Sequence, residues 1–161
     1  MITTGFGDKG NTKLLDGTVV RKDSNIINLL GKIDELQSIL GVASFYSSTF
    51  VKDYIIEIER SLYKDIMASI AKRKDIDENN IHRIDDQIKE LSKHVDLNRF
   101  ILPYGTSSFI HMARAKTREV ERYIVAEGIF PNALIYFNRL SDLLFILAYL
   151  DGKEKKELKF Q

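Results

Sequence analysis

The stretch that decides the fold runs from Pro131 to Leu150 and reads PNALIYFNRLSDLLFILAYL. Pro131 suits the first turn of a helix, where its missing N–H is not needed. Apolar residues then recur at helical spacing and cover a wide face of the segment: Leu134, Phe137, Leu140, Leu143, Leu144, Ile146 and Leu147. This pattern predicts the most deeply buried helix of the chain.

Four further helical patterns precede this segment, over about 24–46, 53–70, 81–91 and 107–127. Ser24 is suited to cap the first of them, Ser107 or Ser108 opens the fourth, and Gly128 ends it. The charged run 72–78 and the apolar stretch before Pro103 are connections, because a helix cannot continue through that proline. Strand signals are nearly absent. The sequence therefore predicts an all-α fold, an antiparallel bundle of five helices.

A chain of 161 residues is the size of one domain and is long enough to bury a core. Its two prolines lie in short gaps between helical patterns, and no linker or internal repeat is visible. We expect a single domain over 1–161. Within it, residues 1–22 form a glycine-rich N-terminal segment, 23–151 the helical bundle and 152–161 a short charged tail.

Net charge, cysteine content and hydropathy restrict the kinds of protein that this chain can be. The 24 basic and 23 acidic residues leave a net charge of +1, so no overall electrostatic footprint for nucleic acid exists. The absence of cysteine excludes disulfides and thiolate metal sites and fits a reducing compartment. The N-terminus lacks a signal-peptide pattern, and we read no membrane-spanning stretch of about 18 apolar residues. We expect a soluble cytoplasmic protein.

A row of arginines marks the fourth helix. Arg114, Arg118 and Arg122 recur every four residues and therefore share one helix face. Glu121 offsets one charge and solvent can screen the others, so a solvated helix face is one interpretation. The other is a polyphosphate clamp, because guanidinium groups bind phosphate oxygens in pairs.

The N-terminal segment carries the run Gly5-Phe6-Gly7-Asp8-Lys9-Gly10. It spells a dinucleotide-binding fingerprint, but only four residues precede it, too few for the required strand. It also resembles a P-loop, but Asn11 replaces the lysine. Closely spaced glycines can still form a backbone nest for an anion. Nearby hydroxyls and cations strengthen that interpretation: Thr3, Thr4, Thr12, Lys9, Lys13, Arg21 and Lys22. The alternative is an uninvolved N-terminal tail.

Polar residues interrupt the apolar fifth helix at Asn138 and Asp142, one turn apart. Because a buried amide or carboxylate is costly without a partner, we expect each to be hydrogen-bonded or to line a site. Asp34 on the first helix is either an exposed acid or a partner of an arginine in the row. His111 is expected to be a packed helix residue. The three histidines lack the spacing of di-iron or zinc sites, so no protein metal site is predicted.

Taken in order along the chain, these segments resemble the ATP:cob(I)alamin adenosyltransferases of the propanediol-utilisation (PduO) type. The resemblance rests on TGFGDKGNT at 4–12, RKD at 21–23, GKIDEL at 31–36, FILP at 100–103, HMAR at 111–114, REVER at 118–122 and NRLSD at 138–142. It implies a homotrimer of five-helix bundles with active sites between subunits. ATP and cobalamin would be the substrates, and Mg²⁺ would be bound mainly through the ATP phosphates.

The resemblance also assigns roles to individual residues. It implies ATP contacts from the N-terminal loop, with Lys22 on a phosphate, and from the fourth and fifth helices: Thr4, Gly5, Phe6, Gly7, Thr12, Lys13, Lys22, Arg118, Glu121, Arg122 and Asn138. Asp34 and Arg114 correspond to an intersubunit salt bridge beside the active site. Phe100 corresponds to an aromatic residue that shapes the corrinoid pocket. Arg118, Asp34, Arg114 and Phe100 make up the predicted catalytic set, and Asp142 closes the final motif.

Two positions depart from the family pattern. Phe6 replaces a threonine, which removes a hydroxyl from the loop. Glu119 stands where the second of two adjacent arginines is common. The acidic side chain either removes a positive charge near the nucleotide or faces away from it.

The implied reaction transfers the 5′-deoxyadenosyl group of ATP to cob(I)alamin and releases triphosphate. It needs no general base, because cobalt(I) is the nucleophile. The resemblance also implies a reductase and a cobalamin-dependent client enzyme as partners. Two alternatives remain at this point: an ATP-binding regulator without corrinoid chemistry, and a helical interaction module whose arginines make only oligomer contacts.

Overall fold

The computed structural model describes residues 5–96 and 102–152. Its helices are α1 (Asn25–Tyr46), α2 (Thr49–Ser61), α3 (Asn79–Leu91), α4 (Ser108–Glu127) and α5 (Pro131–Asp151). A π-helical segment (Leu62–Met67) and one α-helical turn (Ala68–Ile70) prolong α2. The predicted all-α five-helix bundle is confirmed, although α2 and α3 begin before the first apolar residue of their patterns.

Helix α5 lies at the centre of the core, packed against α4 and α3 and in lesser contact with α2. Phe137, Leu140, Leu144 and Leu147 are completely buried. By length and hydropathy α5 could cross a membrane, but 56% of its apolar window is buried inside the bundle. The apolar surface of α5 is therefore removed from water by packing against the neighbouring helices.

Both ends of α5 are held by carboxylates. Asp75, in the connection before α3, accepts hydrogen bonds from the backbone N–H groups of Asn132 at 2.7 Å and Ala133 at 3.0 Å. Asn132 returns a side-chain bond to the carbonyl of Ile76. At the other end, the buried Asp151 accepts the N–H of Ser48, just before α2, at 2.7 Å. These bonds satisfy donors that a helix start leaves free.

A two-stranded hairpin precedes the bundle. Strands β1 (Asn11–Lys13) and β2 (Val19–Arg21) pair antiparallel, with Thr12 opposite Val20. Gly17 adopts φ 91° in the turn, a backbone region that favours glycine. The hairpin was missed because strands of three residues are too short to show a sequence alternation.

The hairpin is attached to the bundle. Leu14 is buried, and the N–H of Leu15 donates to the carbonyl of Ala71, directly after the prolonged α2. Segment 5–22 is therefore a folded element that packs on the bundle; whether it takes part in the site stays a prediction. This attachment fixes where the glycine-rich loop lies.

Replacing Asp75 with alanine should lower the free energy of unfolding by about 1–3 kcal/mol, because two backbone N–H donors at the start of α5 lose their carboxylate acceptor at once. Urea denaturation followed by circular dichroism measures the change. Asp86→Ala is the matched control, since Asp86 is exposed on α3 and makes no hydrogen bond or ion pair with any described residue. Equal stability of the two variants would refute the capping role.

Candidate functional site

The arginine row forms one wall of an open groove. Arg118, Glu121, Arg122 and Val125 line this depression of about 270 Å³ on the outer face of α4. Arg118 and Arg122 are exposed, and an Nη1 of Arg122 donates to the Arg118 carbonyl at 3.1 Å. Neither guanidinium forms a salt bridge with a residue in the described part of the chain. The groove therefore offers forked donors that are free of salt bridges to described residues and can bind an anion.

Helix α5 supplies the other side of this polar region. Asn138 donates from Nδ2 to Oε1 of Glu121 at 3.2 Å, and its Oδ1 accepts from Arg139 at 3.2 Å. Arg139 is in turn bonded to Asp85 of α3 at 3.0 Å. The chain of contacts fixes the orientation of the Glu121 carboxylate beside the arginines.

The expectation that Asn138 and Asp142 interrupt the buried face was wrong in part, because both are exposed. They lie on the narrow strip of α5 that the neighbouring helices leave uncovered. Local desolvation raises the pKa of Asp142, while Arg139, Arg118 and Arg114 oppose that rise. Asp142 therefore lies near enough to the arginine row to feel its charge.

Two buried nitrogen atoms lie nearer the start of α4, on His111 and Arg114. His111 is only 8% exposed, and its Nδ1 has no hydrogen-bond partner among the described residues. The same holds for Nε of Arg114. The His111 ring packs edge-on against Phe145, with centroids 6.4 Å apart. Burial, helped by the Arg114 charge, lowers the pKa of His111. The predicted packed role of His111 is confirmed, and the ring is neutral at pH 7.

Asp34 lies exposed on α1. Neither Asp34 nor Arg114 forms a salt bridge within 5–96 and 102–152, so the structure does not bring the predicted pair together in one chain. Asp34 is exposed, whereas Arg114 is half-buried with its Nε out of contact with solvent.

The glycine-rich loop is brought together with Lys22. Residues Phe6–Lys9 form one 3₁₀ turn between Gly5 at φ 70° and Gly10 at φ 82°. A Cβ atom added at Gly7 would lie 2.7 Å from Nζ of Lys22. The Lys22 ammonium therefore lies across the Gly7 backbone, where a side chain would displace it. A charged donor and a glycine turn thus share one small surface.

The remaining loop residues differ in exposure. Thr12 is half-buried in β1, whereas Lys13 is exposed, and so is Phe6, at 55%. Phe6 therefore makes no core contact that would explain its departure from the family pattern. Thr4 and Phe100 lie outside the described residues.

Glu119 faces away from the arginine groove and towards α1. Its carboxylate bonds Lys32 at 3.3 Å and also contacts Lys116, which reaches Glu35 as well. Lys32 closes the group by pairing with Glu35 at 3.2 Å. We call these four residues the α1–α4 charge cluster. Sequence reasoning missed it, although Lys32–Glu35 and Lys116–Glu119 have the three-residue spacing of helix ion pairs.

These features define a class: a five-helix bundle with an anion-attracting arginine groove and a separate glycine–lysine loop. The chain belongs to the cobalamin adenosyltransferase family, whose model matches residues 2–150. The corrinoid adenosyltransferase of Bacillus subtilis is 35% identical, with 90% of this chain and 83% of the relative covered. That of Citrobacter freundii is 30% identical, covering 93% and 94%.

Solved structures support the same assignment. A variant of the PduO-type ATP:corrinoid adenosyltransferase from Lactobacillus reuteri, complexed with cobalamin and ATP, superposes with a TM-score of 0.86. The identity is 26%, and the alignment covers 100% of this chain and 99% of that one. A second variant of that enzyme, complexed with ATP, gives a TM-score of 0.85 at 27% identity, covering 99% and 100%.

The buried, neutral His111 generates a pH prediction. Because its pKa is lower in the folded chain than in the unfolded chain, the unfolded state binds more protons as the pH drops below about 6.5. The free energy of unfolding should therefore fall over that range and level off below the folded pKa. Denaturation at pH 7.5 and 5.5 should show a smaller difference for His111→Gln than for wild type. The control variant His82→Gln, at an exposed position, should keep the wild-type difference between the two pH values. An equally large difference in His111→Gln would contradict the role given to His111.

Proposed function

We propose that this chain transfers the 5′-deoxyadenosyl group of ATP to the cobalt of a reduced corrinoid, giving adenosylcobalamin and triphosphate. Family membership over residues 2–150 carries this proposal. The arginine groove on α4 supports it from the physical side, because it presents exposed guanidiniums, free of salt bridges to described residues, where a polyphosphate would need them.

The triphosphate of ATP is held by Arg118 and Arg122, with Lys22 and the loop from Gly5 to Lys13 on its other side. Forked guanidinium donors match phosphate oxygens, and the turn of glycines allows close approach of backbone N–H groups. The Lys22 ammonium over Gly7 suits a phosphate that rests on this turn. The same groups stabilise the charge that grows on the leaving triphosphate.

Glu121 and Asn138 form the polar rim of this site. Their mutual hydrogen bond engages Oε1 of the carboxylate, which forms no salt bridge with Arg118 or Arg122. Within the described ranges, no three potential metal ligands lie close enough to hold an ion. Mg²⁺ is bound mainly through the phosphates of ATP and arrives with the nucleotide, as the resemblance to the family implies.

The active site lies between two copies of the chain in a homotrimer. No hydrogen bond or ion pair among the described residues joins the loop of 5–22 to Arg118 or Arg122. The loop of one subunit serves the arginine groove of its neighbour, as the resemblance to the family implies. Asp34 and Arg114, each without a salt bridge in the described part of a single chain, pair across the same interface.

The chemistry requires positioning more than proton transfer. Cobalt(I) of the corrinoid substrate is the nucleophile, and the protein orients the 5′ carbon of ATP towards it while excluding water. The neutral His111 adds no charge beside Arg114. Phe100, outside the described residues, is proposed to shape the corrinoid pocket. The enzyme acts in the cytoplasm, where a reductase supplies the reduced corrinoid and a client enzyme uses the product.

Absorption spectroscopy tests the activity directly. With ATP, Mg²⁺ and chemically reduced cobalamin, the spectrum should change to that of adenosylcobalamin, and triphosphate should be released. An ATP-binding regulator would bind the nucleotide without the spectral change. An interaction module would do neither.

Arg118→Gln should weaken ATP binding by about 1.5–3 kcal/mol, because one charge-assisted phosphate contact is lost. Isothermal titration calorimetry gives the affinity, and the spectral assay gives the rate. Arg60→Gln is the matched control, since Arg60 is exposed on α2 and has no salt bridge to a described residue. Wild-type affinity and turnover in Arg118→Gln would remove the arginine from the site.

The trimer is tested by mass in solution. Wild type should sediment as a trimer at micromolar concentration, whereas Asp34→Arg and Arg114→Asp should each dissociate it and lower turnover, because like charges then meet at the interface. The double exchange should recover part of both properties. A monomeric wild type, or a double variant no better than the single ones, would argue against the pairing.

A further inference from the structure

Arg122 lies on a ridge between two grooves. On one side it lines the arginine groove with Arg118 and Glu121. On the other it lines a depression of about 310 Å³ between α1 and α4, together with Lys116 and Glu119. Its guanidinium can therefore turn towards the nucleotide side or towards Glu119. Arg122 is available to bind phosphate only when its guanidinium lies on the nucleotide side.

Glu119 is the natural competitor for Arg122. The two residues are three positions apart on α4, the same spacing that joins Lys116 to Glu119. In the structure, however, Glu119 pairs with Lys116 on its own helix and with Lys32 on α1. Arg122 makes no salt bridge with it and donates to the Arg118 carbonyl instead.

The α1–α4 charge cluster is well placed to keep Glu119 occupied. The side chains of Lys116 and Glu119 are 17% and 28% exposed, so water competes with their bond less than at an open surface. Lys116, and then Lys32, lower the pKa of Glu119, which keeps the carboxylate charged and bound to them. The cluster carries two positive and two negative charges and so needs no further cation.

We propose that Lys116, assisted by Lys32, holds Glu119 away from Arg122 and thereby keeps Arg122 free to bind the nucleotide phosphates. Lys116 and Lys32 are thus positioning residues that never touch ATP. The proposal rests on the ATP-binding role of Arg122 given above. It also explains how an acidic side chain at position 119 is tolerated, since its charge is neutralised on the side remote from the groove.

The test is a double-mutant cycle on ATP affinity by calorimetry. Lys116→Gln should weaken ATP binding about two- to fivefold, because the released Glu119 captures Arg122 through a partly screened ion pair. Glu119→Gln alone should leave the affinity near that of wild type, and Lys116→Gln/Glu119→Gln should restore it. In an Arg122→Gln background, Lys116→Gln should have no further effect.

These variants distinguish the capture of Arg122 by Glu119 from the simple loss of a positive charge near the nucleotide. A general charge effect would make Glu119→Gln bind ATP more tightly and would persist in the Arg122→Gln background; either result overturns the proposal. Lys89→Gln, exposed on α3, controls for net charge and should bind as wild type does.

Lys32→Gln provides the second route should Lys116→Gln fail to fold, and it should weaken ATP binding in the same sense but less. Unchanged ATP affinity in both lysine variants would refute the proposal while leaving the proposed function intact. Failure of wild type itself to bind ATP would refute the function as well.

Discussion

The burial of α5 is the constraint on which the rest of the structure depends. A helix whose apolar side chains point in several directions must be surrounded, and its first backbone donors must then find acceptors away from bulk water. Asp75 supplies them, from a connection 57 residues earlier in the chain than Asn132. Asp151 acts at the opposite end by receiving the N–H that precedes α2. Packing and capping together fix the position of α5 along its axis relative to the neighbouring helices.

The packing of α5 determines which of its side chains lie at the surface. The neighbouring helices leave one strip of α5 uncovered, and Asn138 and Asp142 lie on it beside the arginines of α4. The α1–α4 charge cluster then fixes the antiparallel register of those two helices, because Lys32 meets Glu119 and Glu35 meets Lys116. Asp34, next to Glu35, and Arg118, next to Glu119, are held in a set relation by the same contacts.

Helical periodicity predicted the five helices, since each contributes a stripe of apolar residues to one core. The same reasoning failed for Asn138 and Asp142, because α5 is so apolar that the sequence does not reveal its exposed strip. It also could not find the cap at Asp75, since this cap joins residues that no local pattern links. It did group Lys22 with the glycine-rich loop but did not predict its contact with Gly7. The arginine row was visible because it lies within a single helix.

The net charge of the whole chain, +1, says little about the local charge at the arginine groove. On α4, Lys116 is neutralised by Glu35 and Glu119, so it adds little to the field beyond its immediate surroundings. Arg118 and Arg122, on the adjacent face, form no salt bridge with a described residue, although Glu121 lies in the same groove. A nearly neutral chain can therefore present a strongly cationic groove, provided that its ion pairs are segregated from it. The acidic residue at position 119 is compatible with such a groove because two lysines hold its charge on the other side of the helix.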